Sequence, residues 1–307
     1  MLTDYHVHLR PDERPSEPER YFTTDNASRY REAAGERGIT ELGVAEHIHR
    51  FEQALEIWQH PFWRFSATDD VDAYCAFVRE ETDLRLGIEA DFIPGREDHL
   101  ARFIDARDWD YVVGSVHFLA DRGVDAEYSE TGDNWDVWKG AGSADEVWKR
   151  YFETLAEAAR CGLYDILAHP DLVKVWGHAR PVPERDPRFH YEPAIEAIAD
   201  TGIVVEVSTA GLRKPVGEVY PAKAFLEMVA DAGNPVALSS DAHRPEHLGY
   251  GYAEALDLLR EVGITELTTF DRRERRSVPI EDADRAAAHV HGDAAPPTID
   301  PSTGRPG

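Results

Sequence analysis

Short apolar runs alternate along most of the chain with longer stretches in which apolar side chains recur every three or four residues. Seven of the short runs are rich in Val, Ile and Leu, as expected of strands that are buried on both faces. These predicted strands span residues 2–6, 41–45, 84–89, 111–116, 164–168, 203–207 and 236–239.

The longer stretches predict helices. At residues 70–81 the apolar side chains share one helical face, and Ser143 with Glu146 has the spacing of a capping box at a helix start. The predicted helices are 25–37, 70–81, 143–160, 192–200, 221–233 and 252–261, with Pro221 in the first turn of the fifth. Strands that alternate with helices predict an α/β fold with a mainly parallel sheet, either open or closed into a barrel.

Three long insertions interrupt this pattern, at residues 10–24, 48–67 and 120–142. From residue 271 onward the periodicity is lost, and residues 293–307 are rich in Pro, Gly and Ala. We therefore predict one ordered domain over residues 1–270 and an irregular, disordered tail over residues 271–307.

Composition narrows the possible partners and location. The formal net charge of −26 is opposite in sign to a surface that binds a phosphate backbone, so we expect no nucleic-acid partner. The first residues lack a secretory signal pattern and no apolar run is long enough to span a bilayer, which predicts a cytoplasmic protein with no membrane partner. Cys75 and Cys161 form neither a disulfide framework nor a CxxC site. Nothing in the sequence indicates the oligomeric state.

Nearly every predicted strand ends in a side chain that can bind a metal ion. His6 and His8 lie two residues apart, so alternation along a strand puts both on the same side. The carboxyl ends of parallel strands meet at one rim, where active sites form. The side chains expected at this rim are His6, His8, His47, Glu89, His117, His169, Asp241 and His243.

Six histidines and two carboxylates at one rim favour a metal site over core packing. Histidine with carboxylate suits zinc, manganese or iron, and the lack of cysteine argues against a closed structural zinc site. Each side chain alone is weak evidence, but their repetition over most strands is not. The remaining histidines are assigned ordinary polar or surface roles: His49, His60, His99, His178, His190, His247, His289 and His291.

These residues carry a resemblance to the polymerase-and-histidinol-phosphatase (PHP) superfamily, and within it to the histidinol-phosphatase branch. Four stretches match in order, namely DYHVH, EH, GSVHF and SDAH, and two further stretches, DILAHPDLVK and EVSTAGLRKP, are similar to that branch. The resemblance covers residues 1–265. It implies a distorted seven-stranded (β/α)7 TIM-like barrel with a trinuclear metal cluster at the C-terminal rim.

The resemblance also implies which residues bind each of two or three divalent ions. The first ion would take His6, His8, Glu89 and Asp241. Glu89 would bridge to a second ion, which would also take His117 and His169. A third ion would take His47, His243 and an acidic side chain shortly after His8. Asp12 and Glu13 compete for that place, and Asp12 is preferred.

The resemblance implies hydrolysis of a small phosphorylated metabolite, L-histidinol phosphate, in histidine biosynthesis. Arg213 is the candidate for binding the phosphoryl group, because its planar fork makes two hydrogen bonds to phosphate, and Lys214 is second. His243 or Asp12 is expected to protonate the leaving alkoxide, either directly or through a metal-bound water. Glu206 and Tyr220 are expected either to contact the organic half of the substrate or to support the metal ligands.

Three alternatives stay open. The chain could hydrolyse another phosphomonoester or a nucleotide. An amidohydrolase-type barrel also begins with HxH, but its bridging carboxylated lysine has no candidate at a strand end here, whereas Glu89 can bridge. A non-catalytic regulatory metal domain is the third alternative. The complete ligand set and the lack of a polymerase segment argue against it.

Overall fold

The protein is represented by a computed structural model that describes residues 2–11, 21–126 and 135–280. Seven strands form one parallel sheet in which each strand lies beside the next in chain order. The strands are β1 (Leu2–Asp4), β2 (Ile39–His47), β3 (Arg85–Asp91), β4 (Tyr111–Ser115), β5 (Ile166–Leu167), β6 (Val204–Ser208) and β7 (Val236–Ser239).

The sheet curls until its two edges meet. Val7, after β1, forms a parallel bridge with Ala242, after β7. The His8 amide donates to the Ala242 carbonyl at 2.8 Å, and the Ala242 amide donates to the His6 carbonyl at 3.2 Å. The result is a nearly closed seven-stranded barrel, so the implied TIM-like architecture is confirmed.

Aromatic side chains fill part of the barrel interior. Tyr111 packs with its ring centroid 5.0 Å from that of Tyr5. A Cβ on Gly43 or Gly87 would lie 2.4 Å from a side-chain atom of Tyr111, so these strands need glycine where the ring crosses them. The small residues of β2 and β3 therefore reflect packing inside the barrel.

Eight helices surround the barrel in the described ranges: α1 (Thr24–Glu36), α2 (Pro61–Ser66), α3 (Val71–Glu81), α4 (Glu97–Asp105), α5 (Ala144–Arg160), α6 (Pro187–Thr201), α7 (Lys223–Asp231) and α8 (Tyr252–Glu261). Ser143 caps α5 by accepting the Glu146 amide at 3.2 Å, as its spacing predicted. None of these helices has the length and apolar character needed to cross a membrane.

The structure corrects several predicted helix boundaries. The sequence pattern missed α2, which has six residues, and α4, which has nine. It placed the start of α6 five residues late, because Pro187 and Pro193 lie within that helix and obscured its pattern. Pro221 precedes α7, which begins at Lys223, instead of lying in its first turn.

The predicted irregular tail begins too early. Glu266–Asp271 and Glu274–Pro279 form an antiparallel hairpin, so ordered chain extends ten residues past 270. Phe270 is buried with its ring 5.7 Å from that of Tyr5, and Arg273 donates to Asp165 at 2.9 Å. Asp165 immediately precedes β5, so the hairpin covers the amino-terminal ends of the strands. Residues 281–307 of the predicted tail lie outside the described residues.

Candidate metal centre

All eight candidate metal ligands that fall within the described ranges come together at the carboxyl ends of the strands. His6 and His8 follow β1, His47 ends β2, and Glu89 lies two residues before the end of β3. The parallel register pairs His47 with Glu89 across the two strands. The other four ligands follow later strands: His117, His169, Asp241 and His243. Asp12 and Glu13 lie outside the described residues.

The donor atoms form four overlapping groups in which every donor lies within 4.8 Å of the others. Glu89 belongs to two of these groups, and His6, His8 and His47 each belong to two as well. The groups are His6–His8–Asp241, His6–Glu89–His169, His47–Glu89–His117 and His8–His47–His243. Such overlap is expected of a cluster of ions that share ligands.

Glu89 lies at the centre of this arrangement and its two oxygens face different ligands. Oε1 lies 3.2 Å from His169 Nε2 and 3.4 Å from His117 Nε2. Oε2 lies 3.3 Å from His6 Nε2 and 3.6 Å from His8 Nε2. Oε2 also contacts His47 Nδ1. A carboxylate in this position can bridge two cations.

Several buried donor atoms at the centre have no hydrogen-bond partner among the described residues. They are His6 Nε2, His8 Nε2, Glu89 Oε2 and Asp241 Oδ1. A single buried polar atom without a partner costs free energy, so four that converge need a common ligand. Their chemistry, imidazole nitrogen with carboxylate oxygen, fits a divalent transition-metal ion.

The charge state of the carboxylates also suits a metal. Burial opposes ionisation of Glu89, but the neighbouring imidazoles of His47 and His6 hold its pKa well below the usual value. Burial likewise opposes ionisation of Asp241, whose pKa is held well below the usual value by His6 and His8. Both side chains are therefore anionic near neutral pH, as metal ligands must be.

Two carboxylates behind the ligands fix the orientation of two imidazoles. Glu206 Oε1 lies 2.7 Å from His6 Nδ1, and Asp91 Oδ1 lies 2.7 Å from His117 Nδ1. Each contact occupies Nδ1 and leaves Nε2 directed at the centre. Alternation along β3 could have identified Asp91, since it lies two residues after Glu89 and on the same side.

Glu206 is placed as a support for the ligands and not as a substrate contact. Besides His6, it accepts the His169 amide at 2.6 Å and the Ser239 hydroxyl at 2.6 Å. Its side chain is buried behind the imidazoles and both of its oxygens are engaged. The expectation that it contacts the organic half is therefore not supported by this geometry.

Arg213 lies against the turn that carries Asp241. Its Nη2 donates to the carbonyls of Ser240 at 2.6 Å and Asp241 at 3.1 Å, while Nη1 is buried with no partner in the described ranges. Asp241 has a φ of +49°, which aspartate tolerates better than most residues. One face of the guanidinium thus holds the metal-ligand turn, and the other is available to an anion. The neighbouring Lys214 is exposed.

Tyr220 is buried near the ligands, with its ring 6.3 Å from that of His169. An antiparallel bridge to Ser208 fixes its backbone at the end of β6. Its hydroxyl has no hydrogen-bond partner in the part of the chain that the structure describes. Tyr220 therefore stays a candidate for substrate contact.

His49 was predicted to have an ordinary polar or surface role, but the structure places it beside the candidate metal ligands. A 3-10 helix, Ile48–Arg50, turns the chain back after β2 and stacks His49 on His47 with ring centroids 4.8 Å apart. His49 Nδ1 lies 3.7 Å from Asp91 Oδ2. Because sequence position alone put His49 in an insertion, its return to the rim was not predictable.

Comparison with known proteins gives an independent view of the same chain. A family model described as the PHP domain matches residues 22–210. A protein of Deinococcus radiodurans named probable histidinol-phosphatase is 32% identical over 274 residues, which cover 85% of this chain and 94% of that one. The histidinol-phosphatase of Bacillus subtilis is 27% identical over 191 residues, covering 58% of this chain and 70% of that one.

Solved structures show the same fold. A histidinol phosphate phosphatase from Lactococcus lactis, in complex with zinc, L-histidinol and phosphate, is 19% identical with a TM-score of 0.63 and covers 90% of this chain and 98% of its own. A putative histidinol phosphatase from Listeria monocytogenes is also 19% identical, with a TM-score of 0.66, and covers 82% and 99%. The family model spans more than half of the chain, and the Deinococcus relative aligns with most of it. This chain belongs to the PHP domain family.

Proposed function

We propose that this chain is a metal-dependent phosphomonoester hydrolase that converts L-histidinol phosphate and water into L-histidinol and phosphate. The observation that carries the proposal is Glu89, a buried carboxylate whose two oxygens face separate sets of histidines. The substrate is inferred from the relatives, since the Deinococcus protein that shares 32% identity is named probable histidinol-phosphatase.

The ligand geometry supports two or three divalent ions, with zinc, manganese and iron as the candidates. His6, His8, Glu89 and Asp241 would hold one ion, and Glu89 with His117 and His169 would hold another. His47 and His243, grouped with His8, would hold a third, for which Asp12 is the candidate additional ligand. When bound, such ions lower the pKa of water and neutralise charge on phosphoryl oxygens.

The chain's own residues then bind the phosphoryl group and move a proton. Arg213 presents its partnerless Nη1 beside Asp241 and binds phosphoryl oxygen through charge-assisted hydrogen bonds. The side chain of His243 keeps 17% of its surface exposed, so a substrate can approach its ring. Whichever of His243 and Asp12 does not hold an ion is the candidate proton donor to the leaving alkoxide.

Phosphate release is the direct test. The purified protein is loaded in turn with manganese, zinc and iron, then assayed with L-histidinol phosphate, p-nitrophenyl phosphate and nucleoside monophosphates. We expect L-histidinol phosphate to have the highest kcat/KM. A higher kcat/KM for a nucleotide would show that the nucleotide, and not L-histidinol phosphate, is the preferred substrate. No phosphate release from any ester with any metal would overturn the phosphatase assignment.

A further inference from the structure

A cavity of about 250 Å³ opens beside the ligands His47 and His117. The 3-10 turn after β2, helix α2 and the segments on either side of residues 127–134 supply its walls. The lining side chains that matter below are His49, Phe62, Phe118, Asp125 and Trp135. None of them is a candidate metal ligand, so the cavity extends the site beyond the ions.

One wall of the cavity is aromatic. The Phe62 ring lies 5.9 Å from the Phe118 ring and 6.0 Å from the Trp135 ring. His49 adds a fourth ring, 4.9 Å from Phe62. Aromatic faces at these separations form a surface on which a planar ring packs with edge or offset geometry.

Positive and negative side chains both line the cavity, but they differ in whether they have an ion-pair partner. Arg10 and Arg50 line it, but Arg10 is paired with Asp69 at 2.5 Å and Arg50 with Glu46 at 2.5 Å. Asp125 also lines it and makes no ion pair or hydrogen bond with any residue inside the described ranges. The cavity therefore presents one carboxylate that no described cation neutralises.

The backbone next to Asp125 is held against the metal ligands. The Val124 amide donates to the His117 carbonyl at 2.8 Å, and Trp176 Nε1 donates to the Val124 carbonyl at 3.1 Å. The position of Asp125 is consequently tied to the loop that carries His117. Asp125 is exposed and lines the same cavity as His47 and His117, so the cavity connects these two candidate ligands with its carboxylate.

We propose that this cavity is the specificity subsite for the organic half of the substrate, in which Asp125 binds an ammonium group near the ester and Phe62, Phe118 and Trp135 pack against a planar heteroaromatic ring. This assignment rests on the proposed function. It selects phosphomonoesters that carry both an amine and a flat ring, because a neutral ester leaves the carboxylate without a partner.

The ammonium contact is tested by comparing L-histidinol phosphate with its analogue that lacks the amino group, using the metal-loaded full chain. Asp125→Asn is expected to lower kcat/KM for L-histidinol phosphate about tenfold, mainly through KM, and to leave the analogue unchanged. Asp121→Asn is the matched control, since Asp121 lies four residues before Asp125, is exposed and does not line the cavity. Equal effects of Asp125→Asn on both esters, or none, would overturn the contact.

The aromatic contact is tested within one helix. Phe62 lines the cavity and Phe65, three residues later in α2, is 62% exposed. Phe62→Leu is expected to raise KM for L-histidinol phosphate roughly three- to tenfold, with little change for phosphoethanolamine, which has the amine but no ring. Phe65→Leu should leave both substrates unchanged. Parallel losses on both substrates in Phe62→Leu would overturn the ring contact.

Failure of the proposed phosphatase function can be distinguished from failure of the proposed subsite. If the unmodified protein releases phosphate from no ester, the phosphatase assignment fails, and the subsite is then judged by calorimetric binding of L-histidinol to the metal-loaded protein. Weaker binding to Asp125→Asn than to Asp121→Asn would support the subsite. Equal binding to both would overturn it.

Discussion

At the scale of single residues, the position of a residue in the cluster determines whether its substitution should impair metal binding or phosphoryl binding. Glu89 is buried and contacts five imidazoles, four of them at 3.2–3.6 Å. Arg213 has one guanidinium nitrogen on the Asp241 turn and another without a described partner. The first residue should govern metal binding, and the second should govern phosphoryl binding.

Glu89→Gln should lose most of the bound metal and lower kcat/KM by about 100-fold or more, because a neutral amide cannot bridge two cations. Metal content by mass spectrometry and phosphate release are the measurements. Glu80→Gln, an exposed glutamate on α3, is the control. Near-normal turnover in Glu89→Gln would contradict the bridging role.

Arg213→Ala should lower kcat/KM by about 100-fold with most of the metal retained, since its phosphoryl contact forms only with substrate. Lys214→Ala, which removes the adjacent exposed cation, should have a much smaller effect. Loss of most of the metal in Arg213→Ala would show instead that its main role is to hold the Asp241 turn.

At the scale of elements, a buried ion pair holds the turn after β1 against the end of β2. Glu46 Oε1 accepts the amides of Leu9 at 2.6 Å and Arg10 at 3.1 Å, and Oε2 pairs with Arg50. Burial raises the pKa of Glu46, but Arg50 and His8 outweigh it and lower the pKa from 4.5 to about 2. The turn that carries His8 thus depends on an ionised Glu46.

The free energy of unfolding should therefore depend on pH through Glu46. Its folded pKa is the lower one, so its stabilisation is complete above pH 4.5 and is lost as pH falls through about 2. Glu46→Gln should cost about 3–5 kcal/mol at neutral pH, because Arg50 loses its partner, and less as pH approaches 2. Urea unfolding with a chelator present measures this. A pH-independent cost would contradict the ionised state.

The C-terminal hairpin stabilises the barrel from the end opposite the ligands. Phe270 is 3% exposed and packs against Tyr5 and Tyr111. Phe270→Ala should destabilise the fold by about 3–5 kcal/mol in urea unfolding while leaving metal content per folded molecule unchanged. Phe189→Ala, at a 50% exposed position, is the control. Selective loss of metal would show coupling between the two ends.

At the scale of the whole molecule, metal binding should stabilise the fold, because the ligands converge from six of the seven strands only when the barrel is formed. An ion that binds only the folded state adds about 2.7 kcal/mol when its concentration is 100 times Kd. Chelation should lower the Tm, and zinc or manganese should restore it. An unchanged Tm on chelation would contradict this coupling.

The sequence by itself predicted the seven strands and the convergence of eight candidate metal ligands at one rim. Strands buried on both faces require apolar runs, and residues at their carboxyl ends must share a rim once the strands are parallel. The same reasoning did not find α4, although its buried Leu100, Phe103 and Ile104 lie on one helical face. It also missed the C-terminal hairpin, whose second strand is exposed at almost every position. The sequence pattern located Asp125 and Trp135 in the insertion at residues 120–142 but did not show that they line a cavity.

Only the tertiary structure decided how these residues are used. Whether Glu206 faces substrate or supports His6 depends on contacts between residues 200 positions apart, which barrel closure creates. His49 returns to the rim, Asp91 orients His117, and Arg213 reaches Asp241 for the same reason. The periodicity of hydrophobic residues in the sequence determines which segments are buried. The partners of side chains at the rim instead follow from the curvature and register of the closed sheet.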